Sequence, residues 1–175
     1  MADLTRRLLL LARMDAGQLP ASPEPVDLDL LAETAAESIA ESASERGMTV
    51  LTDARSGALI RADQTMVIQA VLNLLENAVR YGREGGFIHL CVSVDGGEAR
   101  LCVSDDGPGI PEKHLPHLFE RFYQADAARH GQGAGLGLSL GERIMQLHGG
   151  RAEAASTPGK GSCFTLIFPA AGGET

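Results

Sequence analysis

QTMVIQAVLNLLENAVRY, residues 64–81, is the stretch around which the rest of the chain can be ordered. Val67, Ile68, Val71, Leu72, Leu75 and Ala78 recur at helical spacing and form one apolar face, with Asp63 placed to cap the first turn. Steps of three and four residues put Asn73, Asn77, Arg80 and Tyr81 on a second, polar stripe of the same helix. Asn is a mediocre helix former, so two in one helix call for an explanation. Either the stripe is a solvated face, or it lines a ligand site where amide oxygens can bind a hard cation such as Mg²⁺.

Before this helix, residues 3–16 read as another, with Leu4, Leu8 and Leu11 in step and four consecutive leucines at 8–11. That leaves apolar surface on more than one side, as in a member of a helical bundle; a first helix of the same domain is the other reading. Gly17 and then Pro20, Pro23 and Pro25 mark a linker. A short strand at 26–28, a helix at 29–46, and a strand pair from Met48–Leu51 and Leu59–Ala62 are expected next. After the central helix, Phe87–Val94 and Ala99–Asp105 alternate as strands, joined by the turn Asp95-Gly96-Gly97. A long connection at 106–134, a helix at 135–148 and strands at 151–156 and 162–168 finish the chain. The expected fold is α+β: a two-layer α/β sandwich, with one mixed, mostly antiparallel sheet and about three helices on one face.

The chain has 175 residues, 44% of them hydrophobic, so one ordinary domain with a real core fits. Only 4% are aromatic and Trp is absent, so aliphatic side chains must fill that core. A net charge of −8 excludes a nucleic-acid binder that works through a basic face, but not a nucleotide site with a few local donors. Cys91, Cys102 and Cys163 are scattered over apolar strands; they are expected to be free thiols in a reducing, cytoplasmic setting. The longest apolar run, Leu8–Ala12, is far short of the ~20 residues of a membrane helix, and no signal peptide is evident. No membrane contact is expected of this stretch, which leaves open whether a longer parent spans one.

Two further features interrupt core-like segments. In Asp105-Asp106-Gly107-Pro108-Gly109-Ile110 a hydrophobic strand runs into an acidic turn, and Asp105 continues the face of Ala99, Leu101 and Val103. A carboxylate on that register needs a partner, and an exocyclic amine such as that of adenine would serve. An ordinary turn of Asp, Gly and Pro is the plainer reading. In Gly131-Gln132-Gly133-Ala134-Gly135-Leu136-Gly137-Leu138, glycines precede a helix, whose free N–H groups bind phosphate; a flexible linker is the alternative.

Taken in order, NLLENAVRYG (73–82), DDGPGI (105–110), LFERFYQ (118–124) and GAGLGL (133–138) resemble the asparagine, first glycine, phenylalanine and second glycine boxes of sensor histidine kinases. HGG (148–150) and PGKGSCF (158–164) resemble the closing strands of that ATP-binding domain, and LLLLARMDAG (8–17) the end of the family's dimerisation hairpin. The resemblance implies the Bergerat-type ATP-binding fold over residues 21–175, a hairpin remnant and linker at 1–20, and a lid at about 111–134. It implies ATP and Mg²⁺ as ligands, with Asn77 holding the metal, Asn73 supporting it and Arg80 on phosphate. Tyr81 would pack near adenine or ribose, Asp105 would accept from the adenine amine, and Gly107, Gly109 and Ile110 would admit the base. Phe119 and Phe122 would anchor the lid, and Gly133, Gly135 and Gly137 would wrap the phosphates, with Leu136 and Leu138 beneath.

By the same resemblance the activity is a protein-histidine kinase's. Its partners would be the histidine-bearing hairpin of a homodimeric parent and a cognate response regulator. In the wider superfamily a Glu four residues before the metal-binding Asn activates water; here Asn73 stands there, and an amide is no general base. Weak hydrolysis is therefore expected. Gln124 departs from the family's usual lid Arg, whose place Arg121 or Arg129 would take, and Gln132 replaces a common glycine. None of His89, His114, His117, His130 and His148 has the family's phospho-acceptor context, so the chain alone should not autophosphorylate. A degenerate nucleotide-binding scaffold and an anti-sigma-type serine kinase are the alternatives.

Overall fold

A computed structural model describes residues 2–125 and 135–171. The elements, in order, are α1 (Ala2–Asp15), β1 (Glu24–Asp27), α2 (Leu28–Ser38), α3 (Ala40–Glu45), β2 (Thr49–Asp53), β3 (Leu59–Ala62) and α4 (Gln64–Tyr81). They continue with β4 (Phe87–Asp95), β5 (Glu98–Asp105), a 3-10 turn (Glu112–His117), α5 (Gly137–Leu147), β6 (Arg151–Thr157) and β7 (Gly161–Pro169). Five strands form one sheet in the order β2-β4-β5-β7-β6, with β2 parallel to β4 and every other pair antiparallel. The expected two-layer sandwich is therefore what forms, with α2, α4 and α5 over one face of a mixed sheet.

Strand alternation decides which face is covered. Ile88, Leu90 and Val92 of β4, Ala99, Leu101 and Val103 of β5, and Phe164, Leu166 and Phe168 of β7 are all buried. With few aromatics available, α4 closes this core with Val67, Ala70, Val71, Leu74, Leu75 and Ala78, and α5 with Leu140, Ile144 and Met145. Ile68 and Leu72, expected inside, are only half-buried, while Met66, Ala70 and Leu74 are covered instead.

Asp63 caps α4 as the sequence implied, its carboxylate accepting from Met66 N at 3.2 Å. The same carboxylate accepts from Ser22 N at 3.0 Å, and Asp63 N donates to His148 Nε2 at 2.9 Å. One cap thus joins the linker, the central helix and the end of α5.

Three expectations are corrected. The helix expected at 29–46 is two, broken at Ile39 (φ −103, ψ 1). Thr34 Oγ1 donates to Leu30 O at 2.9 Å and Ser38 Oγ to Thr34 O at 3.0 Å, back-bonding that bends helices just where this one ends. The strands at 48–51 and 59–62 do not pair with each other: β2 lies parallel to β4, and β3 pairs with β1 in a separate two-stranded sheet. Asp29 holds the loop between them, accepting from Ser56 Oγ at 2.8 Å and Gly57 N at 2.7 Å, so the loop docks on α2 instead of closing a hairpin. Cys102 and Cys163 are joined as a disulfide with Cα atoms 6.6 Å apart, and only Cys91 is a free thiol. Sixty-one residues separate the pair in sequence, but β5 lies beside β7, with Cys102 opposite Thr165 and Ser104 opposite Cys163.

α1 is docked, not free. Leu11 and Met14 are buried in the common core, and Arg143 donates to Met14 O at 3.3 Å. Leu4, Leu8 and Leu9 remain exposed on its other sides. No helix among the described residues is long and apolar enough to cross a membrane.

Candidate functional site

A cavity of about 1170 Å³ opens between α4, α5, the start of α1 and the segment after β5. Asn77, Arg80 and Tyr81 reach it from α4, Asp105 from the end of β5, Gly109 and Ile110 from the following turn, and Gly135 to Leu138 from the start of α5. Three stretches far apart in the chain thus share one space, as expected of the sequence motifs.

Short distances divide the cavity into two ends. At one, β5 and β7 run side by side with Asp105 opposite Ser162, and both residues line the wall together with Phe164 and Ile110. Ile110 N donates to Ser156 Oγ at 2.7 Å, which ties the turn to β6. Gly109 (φ +75) packs so close to Thr157 O that a Cβ would lie 2.3 Å from it, so only glycine fits. At the other end, Glu76 and Asn77 of α4 face the first turn of α5. Leu136 gives that turn no side-chain cap, and the first N–H groups of a helix have no intrahelical partner. An anion is what such a terminus attracts.

Asp105 is 9% exposed, and its Oδ1 accepts from Gly107 N at 2.9 Å. Burial pushes its carboxyl above the ordinary value of 3.8; the Gly107 N–H opposes that, and the neighbouring Asp106 charge adds to it. Asp106 itself is turned away, accepting from Phe87 N at 3.0 Å and Arg83 at 2.9 Å. One carboxylate therefore braces the strands while the other faces the cavity.

Four of the expected residues do not line the cavity. Asn73 is buried behind the wall, its Nδ2 donating to Gly137 O and its Oδ1 accepting from Gln69 Nε2, both at 3.1 Å. Both ends of its amide are engaged in tying α4 to the start of α5, one turn before Asn77. Gly107 lies behind Asp105, where a Cβ would meet Tyr81 O at 2.6 Å; its smallness permits the close approach of α4. Arg121 pairs with Asp15 of α1, outside the cavity. Phe122 is 59% exposed at a left-handed turn (φ 64), its N–H donating to Gly135 O at 3.1 Å. Leu118, Phe119 and Tyr123 pack inward instead, and His114 hydrogen-bonds Tyr123. Gly133, along with Arg129, His130 and Gln132, lies outside the described residues.

Several lining residues were not anticipated from the sequence. Glu76 sits on the same helical stripe as Asn73, Asn77 and Arg80, so its spacing could have revealed it. Lys113, His114, Tyr123 and Gln124 come from the long connection, and Asp3, Leu4 and Arg7 from α1. No local signal tells which face of α1 meets the cavity.

The model of the histidine kinase-, DNA gyrase B-, and HSP90-like ATPase family matches residues 62–172. The chain is 37% identical over 170 residues to the sensor histidine kinase YkoH of Bacillus subtilis, covering 96% of this chain and 36% of that protein. It is 35% identical over 170 residues to the phosphate regulon sensor protein PhoR of Pseudomonas aeruginosa, covering 96% and 38%. The crystal structure of full-length ShkA in complex with AMPPNP superposes with a TM-score of 0.84 at 32% identity, over 97% of this chain and 35% of that one. The mycobacterial sensor histidine kinase MprB gives a TM-score of 0.73 at 27% identity, over 85% and 98%. The chain thus spans little more than a third of the curated relatives it matches.

Proposed function

Because the chain belongs to the histidine kinase-, DNA gyrase B- and HSP90-like ATPase family, we propose that it is the ATP-binding catalytic domain of a sensor histidine kinase. It holds Mg-ATP for transfer of the γ-phosphoryl group to a histidine outside these 175 residues. The observation that carries this reading is the shared cavity, which Asn77, Asp105 and Gly135 line together.

Phosphoryl transfer asks for positioning and charge neutralisation more than for covalent chemistry. Asp105 accepts the exocyclic amine of the purine, with Ile110 and Phe164 against the ring. The uncapped start of α5 and Arg80 take the phosphates. The residues present fit Mg²⁺, a hard cation that favours oxygen ligands and keeps water and phosphate in its shell. Asn77 would hold it, and when bound it would neutralise charge on the terminal phosphates. Asn73, with its amide engaged by Gln69 and Gly137, provides no base for water. The γ-phosphate is therefore kept for the acceptor.

The segment around 111–134 would act as the lid, and α1 as the end of the parent's dimerisation hairpin. The parent would be a homodimer working in the cytoplasm, where ATP is, with a response regulator as the final phosphate acceptor. The test is incubation with γ-labelled ATP and Mg²⁺. Alone, the chain should gain no label; mixed with a separate histidine-bearing hairpin, it should produce base-stable, acid-labile phosphate on the hairpin. Rapid ATP hydrolysis by the chain, or such a label on the chain itself, would contradict the assignment.

A further inference from the structure

The cavity's phosphate end has a cation that none of the sequence motifs contains. Arg7 of α1 lines the cavity, its side chain 22% exposed, wedged between α4 and the start of α5. Its Nη2 donates to Glu76 at 2.9 Å. Its Nε lies 3.1 Å from Asp3 Oδ2 but makes no aligned hydrogen bond, although it is buried. Its Nη1 reaches to 3.3 Å from where a Cβ on Gly137 would stand. A guanidinium fork so placed has donors to spare beside the start of α5, which lacks a side-chain cap.

We infer that Arg7 is a phosphate-binding residue, which the leading helix delivers to the triphosphate end of the nucleotide site. This rests on the reading of the cavity as an ATP site and adds a residue to it. Without ligand, Glu76 and Asp3 share the guanidinium. With a triphosphate beside Gly137, the more concentrated negative charge competes for it, and bidentate phosphate contacts favour arginine over lysine. Gln124, which also lines the cavity, carries no charge, and Arg121 is held by Asp15. Arg7 therefore supplies positive charge that the segment after β5 does not bring from those two positions. Docking of α1 and affinity for triphosphate become linked: a helix that leaves its seat takes a phosphate ligand with it.

The inference is tested by calorimetric titration of the full chain with a non-hydrolysable ATP analogue and with AMP, both with Mg²⁺, for wild type, Arg7→Ala, Arg7→Lys and Glu76→Gln. Arg7→Ala should weaken the triphosphate roughly tenfold or more, the scale of a charge-assisted phosphate contact, and leave AMP within about twofold. Arg7→Lys should recover only part of the loss. Glu76→Gln separates a ligand from a mere strut. If Arg7 only braces α4, this variant should weaken the triphosphate as Arg7→Ala does; if Arg7 binds phosphate, affinity should hold or rise. Equal affinities of wild type and Arg7→Ala for the triphosphate, with wild type binding well, would overturn the role of Arg7 alone. A wild type that binds neither nucleotide would overturn the ATP site and this inference with it.

Discussion

Asp105→Asn separates what the cavity needs from what the fold prefers. The substitution keeps the side chain's shape and leaves an amide oxygen able to accept from Gly107 N. It replaces the outer acceptor with an N–H donor facing the purine amine. Losing a hydrogen bond to a charged acceptor costs about 1.5–3 kcal/mol, or between about tenfold and 150-fold in affinity. Suppose ATP stands at about a hundred times its Kd for wild type, which stabilises the fold by about 2.7 kcal/mol; a hundredfold weaker Kd leaves about 0.4 kcal/mol. At ~2–4 °C per kcal/mol for a chain of this size, a ligand-induced rise of roughly 5–10 °C in Tm falls to about 1 °C.

Without nucleotide the same variant should move the other way. The folded carboxyl of Asp105 titrates above its ordinary 3.8 because it is buried. Holding it ionised therefore costs stability, a cost absent below 3.8 that grows as pH rises through the raised folded value. The neutral amide escapes it. Differential scanning fluorimetry from pH 4 to 8, with and without Mg-ATP, should show Asp105→Asn more stable than wild type at neutral pH but much less responsive to nucleotide. A variant with an undiminished ATP response, or a lower Tm at neutral pH without ligand, would refute the role given to Asp105.

Further outcomes follow from the packing. Asn73→Asp keeps the volume but sets a carboxylate oxygen against Gly137 O, at 1% exposure; chemical denaturation should show a loss of about 1–3 kcal/mol. Leu11→Ala should cost about 2–5 kcal/mol in the same measurement if α1 is part of the core, and under about 0.5 kcal/mol if its docking is incidental. Asp15 is held below its ordinary value by its hydrogen bond to Arg121, with the Arg121 and Arg143 charges helping. The stabilisation it gives is present above 3.8 and is lost as pH falls through the lowered folded value. Amide protection factors of residues 2–15, taken relative to the intrinsic exchange rate at each pH, should therefore fall at acid pH, in high salt and in Asp15→Asn, while those of β4 and β5 hold.

The sequence disclosed most where local pattern and fold agree. The apolar face of α4, the β4–β5 hairpin with its Asp-Gly-Gly turn, and the inward register of Asp105 all follow from spacing alone. Pairing between distant segments was less legible. The parallel β2·β4 contact and the Cys102–Cys163 disulfide arise only once α4 crosses the sheet and β7 settles beside β5, and nothing near these residues encodes that. Asn73 shows a related limit: its stripe was legible, but not that α5 would bury the upper part of that stripe and engage the amide. Phe122 and Arg121 belong to a turn whose direction depends on the left-handed residue at its centre and on Asp15, more than a hundred residues earlier. Arg7 was hidden because a leucine-rich helix advertises its apolar faces, not its one charged edge.

The most direct measurement is a titration of the isotope-labelled chain with a non-hydrolysable ATP analogue, with and without Mg²⁺, followed by amide resonances. Saturable shifts at Asn77, Asp105, Ile110 and Gly135–Leu138, tightened by Mg²⁺ and small on α2 and β6, are the expected result. Absence of saturable binding, or shifts gathered on a surface that excludes Asn77 and Asp105, would contradict a single nucleotide pocket.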